Sequence, residues 1–157
     1  MCQKINKNEP IDEEEIERSW KEKENIKLMY QAVRANDFEQ VKDLINKGVA
    51  VNTGNEYGRT LLMSAASDNS VDVAKLLIAR NADVNVLDKH GITALMCAAS
   101  SGSLDVAILL IKNGADINAW DVHGETVLMH AEHSLLIYGN RKIKSLLIKE
   151  GAEINKQ

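Results

Sequence analysis

The chain has 157 residues, a net charge of −4 at pH 7 and an ordinary apolar content of 45%, which together suit one soluble domain. It has no basic patch for binding phosphates, no apolar run longer than Val106 to Ile111, and only two cysteines, so nucleic-acid binding, membrane spanning and a disulfide framework are not expected. The amino-terminal residues lack the apolar core of a secretory signal, so we expect a cytoplasmic monomer, with export by a signal-independent route as the alternative.

An acidic segment, residues 1–25, comes first along the chain. Seven acids and three bases occur between Pro10 and Asn25. The acids from Asp12 to Glu15 would lie in the first turn of a helix, where the helix dipole stabilises negative charge. Ile16 and Trp20 are four residues apart and would share one helix face. We therefore predict a helix over residues 11–24 that caps the following domain as a lid; the alternative is a frayed acidic tail.

A pattern with a period of 33 residues fills the rest of the chain, residues 26–157. The clearest copies are NEYGRTLLMSAASDNSVDVAKLLIARNADVN, beginning at Asn55, and DKHGITALMCAASSGSLDVAILLIKNGADIN, beginning at Asp88. A partial copy precedes them at residues 36–52, and another, DVHGETVLMHAE, begins at Asp121. This periodicity predicts four stacked repeats, at about residues 26–54, 55–87, 88–120 and 121–155.

The repeated motifs resemble those of the ankyrin-repeat family. They are G-x-T-x-L-M-x-A at Gly58, Gly91 and Gly124, and the endings G/N-A-D/E-V/I-N at Asn81, Gly114 and Gly151. The family's usual T-P-L-H reads T-L-L-M, T-A-L-M and T-V-L-M here, so the proline and the histidine are missing. The resemblance implies an all-α solenoid of helix–turn–helix repeats with projecting loops. It also implies that protein partners bind to those loops and to the first helices beside them.

Each repeat should consist of a helix, a tight turn, a second helix and a loop. Thr60, Thr93 and Thr126 lie where a helix N-cap belongs. First helices are predicted at residues 60–67, 93–100 and 126–137, and second helices at 71–80, 104–113 and 140–150. Turns and helix ends that favour a left-handed residue hold asparagine or glycine, at Asn36, Gly48, Asn69, Asn81, Gly102, Gly114, Gly139 and Gly151.

The last repeat differs from the inner ones as a carboxy-terminal cap should. Ala66 and Ala99 of the inner repeats correspond to Glu132, and Ala74 and Ala107 correspond to Lys144. A charge is tolerated there only if no further repeat packs on that face. Four additional residues near positions 133–138 should lengthen the first helix by one turn.

The loop positions that change from copy to copy are the candidate partner-binding residues, because the scaffold does not dictate them. Several of these residues are large and apolar or amphipathic, as interface anchors are, although packing of loop against loop is the alternative interpretation. The complete predicted set, with polar residues from the loops and first helices, is Tyr57, Arg59, Asp68, Leu87, His90, Ile92, Ser101, Trp120, His123 and Glu125.

Chemistry of other kinds has less support in the sequence. His130 and His133 are three residues apart on one helix, but zinc needs three or four ligands, so neither a metal nor another cofactor is expected. Motifs for a nucleophile or a phosphate-binding loop do not occur. We therefore expect a non-catalytic adaptor or inhibitor that binds another protein. The alternatives are a secreted effector that acts on a host protein and, less favoured, a metal- or ligand-binding enzyme using His123, His130 and His133.

Overall fold

Eight helices form the regular structure of the part of the chain that the structure describes. The computed structural model describes residues 12–138 and 141–153, with the backbone alone for residues 134–138. The helices are α1 (Glu13–Arg34), α2 (Phe38–Asn46), α3 (Leu61–Ser67), α4 (Val71–Ala79), α5 (Ala94–Ser101), α6 (Leu104–Lys112), α7 (Val127–Tyr138) and α8 (Arg141–Lys149). In these ranges no β-strand forms, and no helix is long and apolar enough to cross a membrane. The predicted all-α solenoid is confirmed.

The helices stack in two layers. α1, α3, α5 and α7 contact one another in sequence, as do α2, α4, α6 and α8, and each first helix contacts the second helix of its own repeat. All residues of α3 from Leu61 to Ala66 are buried, and so are all residues of α5 from Ala94 to Ala99. Each of these two helices is enclosed by the first helices of the neighbouring repeats and by the second helix of its own repeat. No face of the helix remains in contact with water, which explains why nearly all of its residues are apolar.

The predicted caps and turns are confirmed in the described residues. Thr60, Thr93 and Thr126 each accept a hydrogen bond from the backbone N–H three positions later, at 3.3, 3.2 and 3.4 Å. Of the positions predicted to be left-handed, Gly139 lies outside the described residues. All the others have positive φ: Asn36, Gly48, Asn69, Asn81, Gly102, Gly114 and Gly151. The repeat pattern therefore fixes the helix boundaries through local backbone chemistry.

The amino-terminal lid helix is corrected by the structure. α1 continues without a break from Glu13 to Arg34, so the boundary drawn after residue 25 falls inside a helix that also serves as the first helix of repeat one. Residues 13–34 contain neither glycine nor proline, and nothing in the sequence ends the helix earlier. Every residue from 12 to 24 is exposed, and Trp20 is 72% exposed, so this half of α1 is not packed into the hydrophobic core.

The last repeat has the features predicted for a cap. α7 has 12 residues, whereas α3 has 7 and α5 has 8, which confirms the additional helical turn. The two charges that replace buried alanines form an ion pair, with Lys144 Nζ 2.7 Å from Glu132 Oε1. Both side chains are partly exposed, so the pair lies at the surface of the last repeat.

Candidate partner-binding surface

Three loops, here called hairpins, precede the first helices at residues 55–59, 88–92 and 121–125. Each is organised by the side chain at its first position. Asn55, Asp88 and Asp121 use Oδ1 to accept hydrogen bonds from the backbone N–H groups two and four positions later, at distances of 2.8 to 3.0 Å. A side chain that mimics a backbone turn in this way fixes the loop without a β-sheet. The loops therefore present their side chains from a defined backbone.

Neighbouring hairpins are joined by backbone hydrogen bonds. The N–H of Lys89 donates to the carbonyl of Tyr57, and the N–H of Val122 donates to the carbonyl of His90, both at 3.0 Å. Gly91, at φ +75°, allows this approach, because a Cβ there would lie 3.0 Å from the Cα of Asp121. Tyr57, His90 and His123 occupy the equivalent position of successive hairpins and so follow one another along the loop row.

Leu87 and Trp120 are brought together as predicted. Leu87 is 57% exposed and Trp120 is 72% exposed, and both line one cleft of about 310 Å³ between adjacent repeats. Asn85 and Asp116 line the same cleft. Two large apolar side chains are thus held side by side at the surface, with a carboxylate and an amide at their edge.

The polar residues of the predicted set lie toward the first helices instead. The guanidinium of Arg59 donates a hydrogen bond to Ser67 at the end of α3, and Glu125 Oε2 lies 3.9 Å from His133 Nδ1 on α7. Asp68 is exposed just after α3, and Ser101 is half-buried at the end of α5. Of the residues that the structure describes, none in this polar group lines the Leu87–Trp120 cleft.

Ile92 differs from the other apolar loop residues. It is half-buried and packs against the hydrophobic core, and its N–H donates to Asp88. Packing against the core, rather than against a neighbouring loop, therefore describes Ile92 better than a role as an exposed anchor.

A polar cluster in the last repeat joins His130, which was weighed as a metal ligand on the sequence alone, to carboxylates that were not assigned to it. His130 Nε2 lies 3.1 Å from Asp121 Oδ2, and His130 Nδ1 lies 3.1 Å from Ser100 Oγ. Burial of Asp121 opposes its charged form, but hydrogen bonds from the N–H groups of Glu125 and His123 and from His130 outweigh burial and lower the pKa of the carboxyl. Glu125 Oε2 lies 3.9 Å from His130 Nε2, so a second carboxylate adjoins the pair.

His123, which the sequence grouped with the other two histidines, contributes its backbone N–H to this cluster. The signal that could have revealed the cluster is the pair of acids at positions 121 and 125, because the other two hairpins have at most one acid at the equivalent positions.

Cys97 gives no indication of catalysis. Its side chain is buried in α5 and forms no disulfide. Burial raises the pKa of the Cys97 thiol, so the thiol stays protonated and is a poor nucleophile near neutral pH. Cys97 acts as a small core residue, as its place in the repeat predicts.

Comparison with protein families adds one result to this geometry. The family model described as ankyrin repeats (3 copies) matches residues 28–121 and, in a second match, residues 81–157. The two matches overlap and together include every described helix from the second half of α1 onward. No curated protein matches the chain.

Proposed function

The chain belongs to the ankyrin-repeat family, and from that premise we propose that it is a non-catalytic adaptor or inhibitor that binds another protein through its hairpin loops and first helices. Ankyrin repeats are generally protein–protein interaction modules. We further propose that this chain acts as a monomer in the cytoplasm and that the Leu87–Trp120 cleft is the centre of its binding surface.

The observation that supports the cleft most directly is the exposure of two large apolar side chains at one place. Trp120 and Leu87 line the same 310 Å³ cleft, although water contact is unfavourable for both. Tryptophan is among the residues that most often dominate the binding energy of interfaces, and it also carries an N–H that can donate to a partner. Asn85 and Asp116 add polar groups at the rim.

Rigidity of the loops favours recognition as well. Backbone hydrogen bonds join Lys89 to Tyr57 and Val122 to His90, so the hairpins are ordered before a partner arrives. Binding then costs little loop-ordering entropy. Arg59, Asp68 and Glu125 supply mixed charge beside the first helices, and rim charges of this kind affect specificity and association rate more than affinity.

The first test is affinity capture with the full chain, with the Leu87→Ala, Trp120→Ala double variant as the negative control. Parallel captures from a lysate of the source cell and from a lysate of a foreign host cell separate an adaptor or inhibitor from a secreted effector. The partner recovered by the unaltered chain, and lost with the double variant, is then purified for affinity measurements.

Trp120→Ala alone should weaken binding to that partner at least tenfold, because truncation of a central aromatic residue costs about 2 kcal/mol or more. Its fold should be unchanged, since the side chain is 72% exposed. Lys75→Ala, on the exposed side of α4, is the matched control and should bind as the unaltered chain does. Equal affinity of the Trp120 variant and the control, or unfolding of the Trp120 variant, would contradict the proposed site.

A further inference from the structure

Two carboxylates and one imidazole lie close together in the last repeat. Asp121, Glu125 and His130 each offer a ligand atom, and these atoms lie within 4.8 Å of one another. His133 Nδ1 lies 3.9 Å from Glu125 Oε2, outside this group of three, and is the candidate fourth donor. We propose that this cluster binds a divalent transition-metal ion, with Zn²⁺ as the preferred ion. The proposal goes beyond protein recognition and does not depend on it.

The distances between donor atoms suit a single small ion. In a tetrahedral zinc site, with metal–ligand bonds of about 2.0–2.1 Å, neighbouring donors are roughly 3.3 Å apart. His130 Nε2 lies 3.1 Å from Asp121 Oδ2, and Glu125 Oε2 lies 3.9 Å from both His130 Nε2 and His133 Nδ1. Asp121, Glu125 and His130 supply three donors, and His133, the most exposed of the four side chains, would turn toward them to supply the fourth.

Asp121 is oriented for this role by its own loop. Its Oδ1 accepts the N–H groups of His123 and Glu125, which leaves Oδ2 facing His130. The side chain is only 3% exposed, so the protein holds it in this orientation. An ionised carboxylate held in one orientation is a ready metal ligand.

Ser100 lies beside the second ring nitrogen of His130. Its Oγ lies 3.1 Å from His130 Nδ1. When an ion takes the place of the proton between Nε2 and Asp121, the neutral ring carries its proton on Nδ1 and donates it to Ser100. Nε2 then presents its lone pair to the ion. Hydrogen bonds of this kind to the second imidazole nitrogen accompany histidine ligands in metal sites generally.

The other repeats provide an internal comparison. The four equivalent positions hold Asn55, Arg59, Ser64 and Ser67 in the second repeat, and Asp88, Ile92, Cys97 and Ser100 in the third. Arg59 and Ser67 of the second repeat are the counterparts of Glu125 and His133, and they form a hydrogen bond with each other. The scaffold thus brings these positions together whatever residues occupy them, and among these three repeats the last alone fills all four with metal-binding side chains.

The donor set selects the class of ion. Magnesium and calcium prefer shells of oxygen alone, whereas imidazole nitrogen suits zinc and related transition metals. Four protein ligands close the coordination sphere, as in structural zinc sites. A bound ion would therefore fasten the last hairpin, which carries Asp121 and Glu125, to α7, which carries His130 and His133. His133 is 62% exposed, so the ion has a path from solvent.

The test is calorimetric titration of the chelator-treated full chain with Zn²⁺. We expect one ion per chain, no comparable binding of Mg²⁺ or Ca²⁺, and a melting temperature that rises with Zn²⁺ concentration, because a ligand of the folded state stabilises it by mass action. Co²⁺ as a spectroscopic substitute should give the visible absorption of four-coordinate cobalt without a thiolate charge-transfer band.

His133→Ala and Glu125→Gln should each weaken Zn²⁺ binding at least tenfold. Removal of a residue that only hydrogen-bonds to a metal ligand already lowers metal affinity about tenfold or more, and removal of a ligand itself should lower it further. Both side chains are partly exposed, so folding should survive, which circular dichroism checks. His123→Ala is the matched control and should bind Zn²⁺ normally. The proposal is overturned by absence of saturable binding, by a thiolate band from Cys2 or Cys97, or by His133→Ala and Glu125→Gln affinities equal to that of His123→Ala.

Discussion

Ala99 and Glu132 occupy equivalent positions but opposite environments. Ala99 lies in α5 with 0% exposure, enclosed by the neighbouring first helices, whereas Glu132 is exposed on α7 and pairs with Lys144 at 2.7 Å. A carboxylate is stable at the second position because water and an ammonium group solvate it. At the first position it would meet apolar side chains.

Ala99→Glu should therefore lower the free energy of unfolding by several kcal/mol, through burial of a charge without a partner. Glu132→Ala should cost only about 0–1 kcal/mol, the usual contribution of a partly exposed ion pair. Urea unfolding of both variants measures the difference. Equal losses at the two positions would show that another chain covers the Glu132 face.

Tyr30 joins α1 to the first hairpin. Its hydroxyl donates to the carbonyl of Arg59 at 2.6 Å, and the carbonyl of Thr53 lies 3.1 Å away. Burial raises the pKa of this phenol, although a backbone hydrogen bond with Asn55 and the charge of Arg59 oppose the increase. The protonated form is thus favoured in the folded chain, where it is the hydrogen-bond donor.

Tyr30→Phe should lower the free energy of unfolding by about 1 kcal/mol at neutral pH, the usual net value of one hydrogen bond. Because the folded pKa exceeds the unfolded value of about 10, the contribution of the hydroxyl is complete below about pH 10 and is lost as pH rises through the folded pKa. The stability advantage of the unaltered chain over Tyr30→Phe should shrink in that alkaline range, as urea unfolding at successive pH values would reveal. A difference that stays constant to high alkaline pH would rule out this titration.

At the scale of elements, α1 combines two different halves. Residues 12–24 are exposed throughout, whereas Met29, Ala32 and Val33 are buried against the repeats. The helix continues between the two halves because no residue breaks it, although its composition changes from acidic to apolar. Stability of the array should therefore depend on the second half alone.

Met29→Ala should cost about 2–5 kcal/mol, since it leaves a cavity at a position with 0% exposure. Trp20→Ala, in the same helix but 72% exposed, should change the free energy of unfolding by no more than about 0.5 kcal/mol. Chemical unfolding of the two variants compares them directly. A large loss for Trp20→Ala would restore the lid interpretation of the amino-terminal segment.

The elements also show why some features were predictable. The helices of α3 to α8 follow from the repeat period, because N-cap threonines and left-handed residues act locally. The proximity of Leu87 and Trp120 was predictable too, because residues at the same position of adjacent stacked repeats lie next to each other. The predicted helix end at residue 24 was wrong because a change of composition does not terminate a helix. The carboxylates of the His130 cluster were not predicted, because they come from the hairpin and only folding brings them to α7.

At the scale of the whole molecule, asparagines join successive repeats. Asn52, Asn85 and Asn118 each accept an N–H from the following repeat, from Asp83, Asp116 and Glu153, at 2.8 to 2.9 Å. The Asn85 amide also donates to the Gly114 carbonyl at 2.9 Å. In repeat arrays such contacts between neighbours add to the intrinsic stability of each unit.

Asn85→Ala should lower the free energy of unfolding by about 1–2 kcal/mol, because two exposed hydrogen bonds between repeats are lost. Asn113→Ala is a comparison within one repeat, since the Asn113 amide bonds to Leu109 of its own helix at 2.8 Å, and it should cost less. Urea unfolding again supplies the measurement. Equal effects of the two substitutions would mean that the asparagine contacts do not couple the repeats.

The backbone bonds between hairpins have a consequence for how this molecule can change over generations. The bonds use the backbone carbonyls of Tyr57 and His90 and the backbone N–H groups of Lys89 and Val122. The fold therefore depends little on which side chains occupy these loop tips. Substitutions there can accumulate without a loss of foldability. The same array can therefore acquire a new partner by exchanging surface residues one at a time, with each intermediate sequence still adopting the same solenoid.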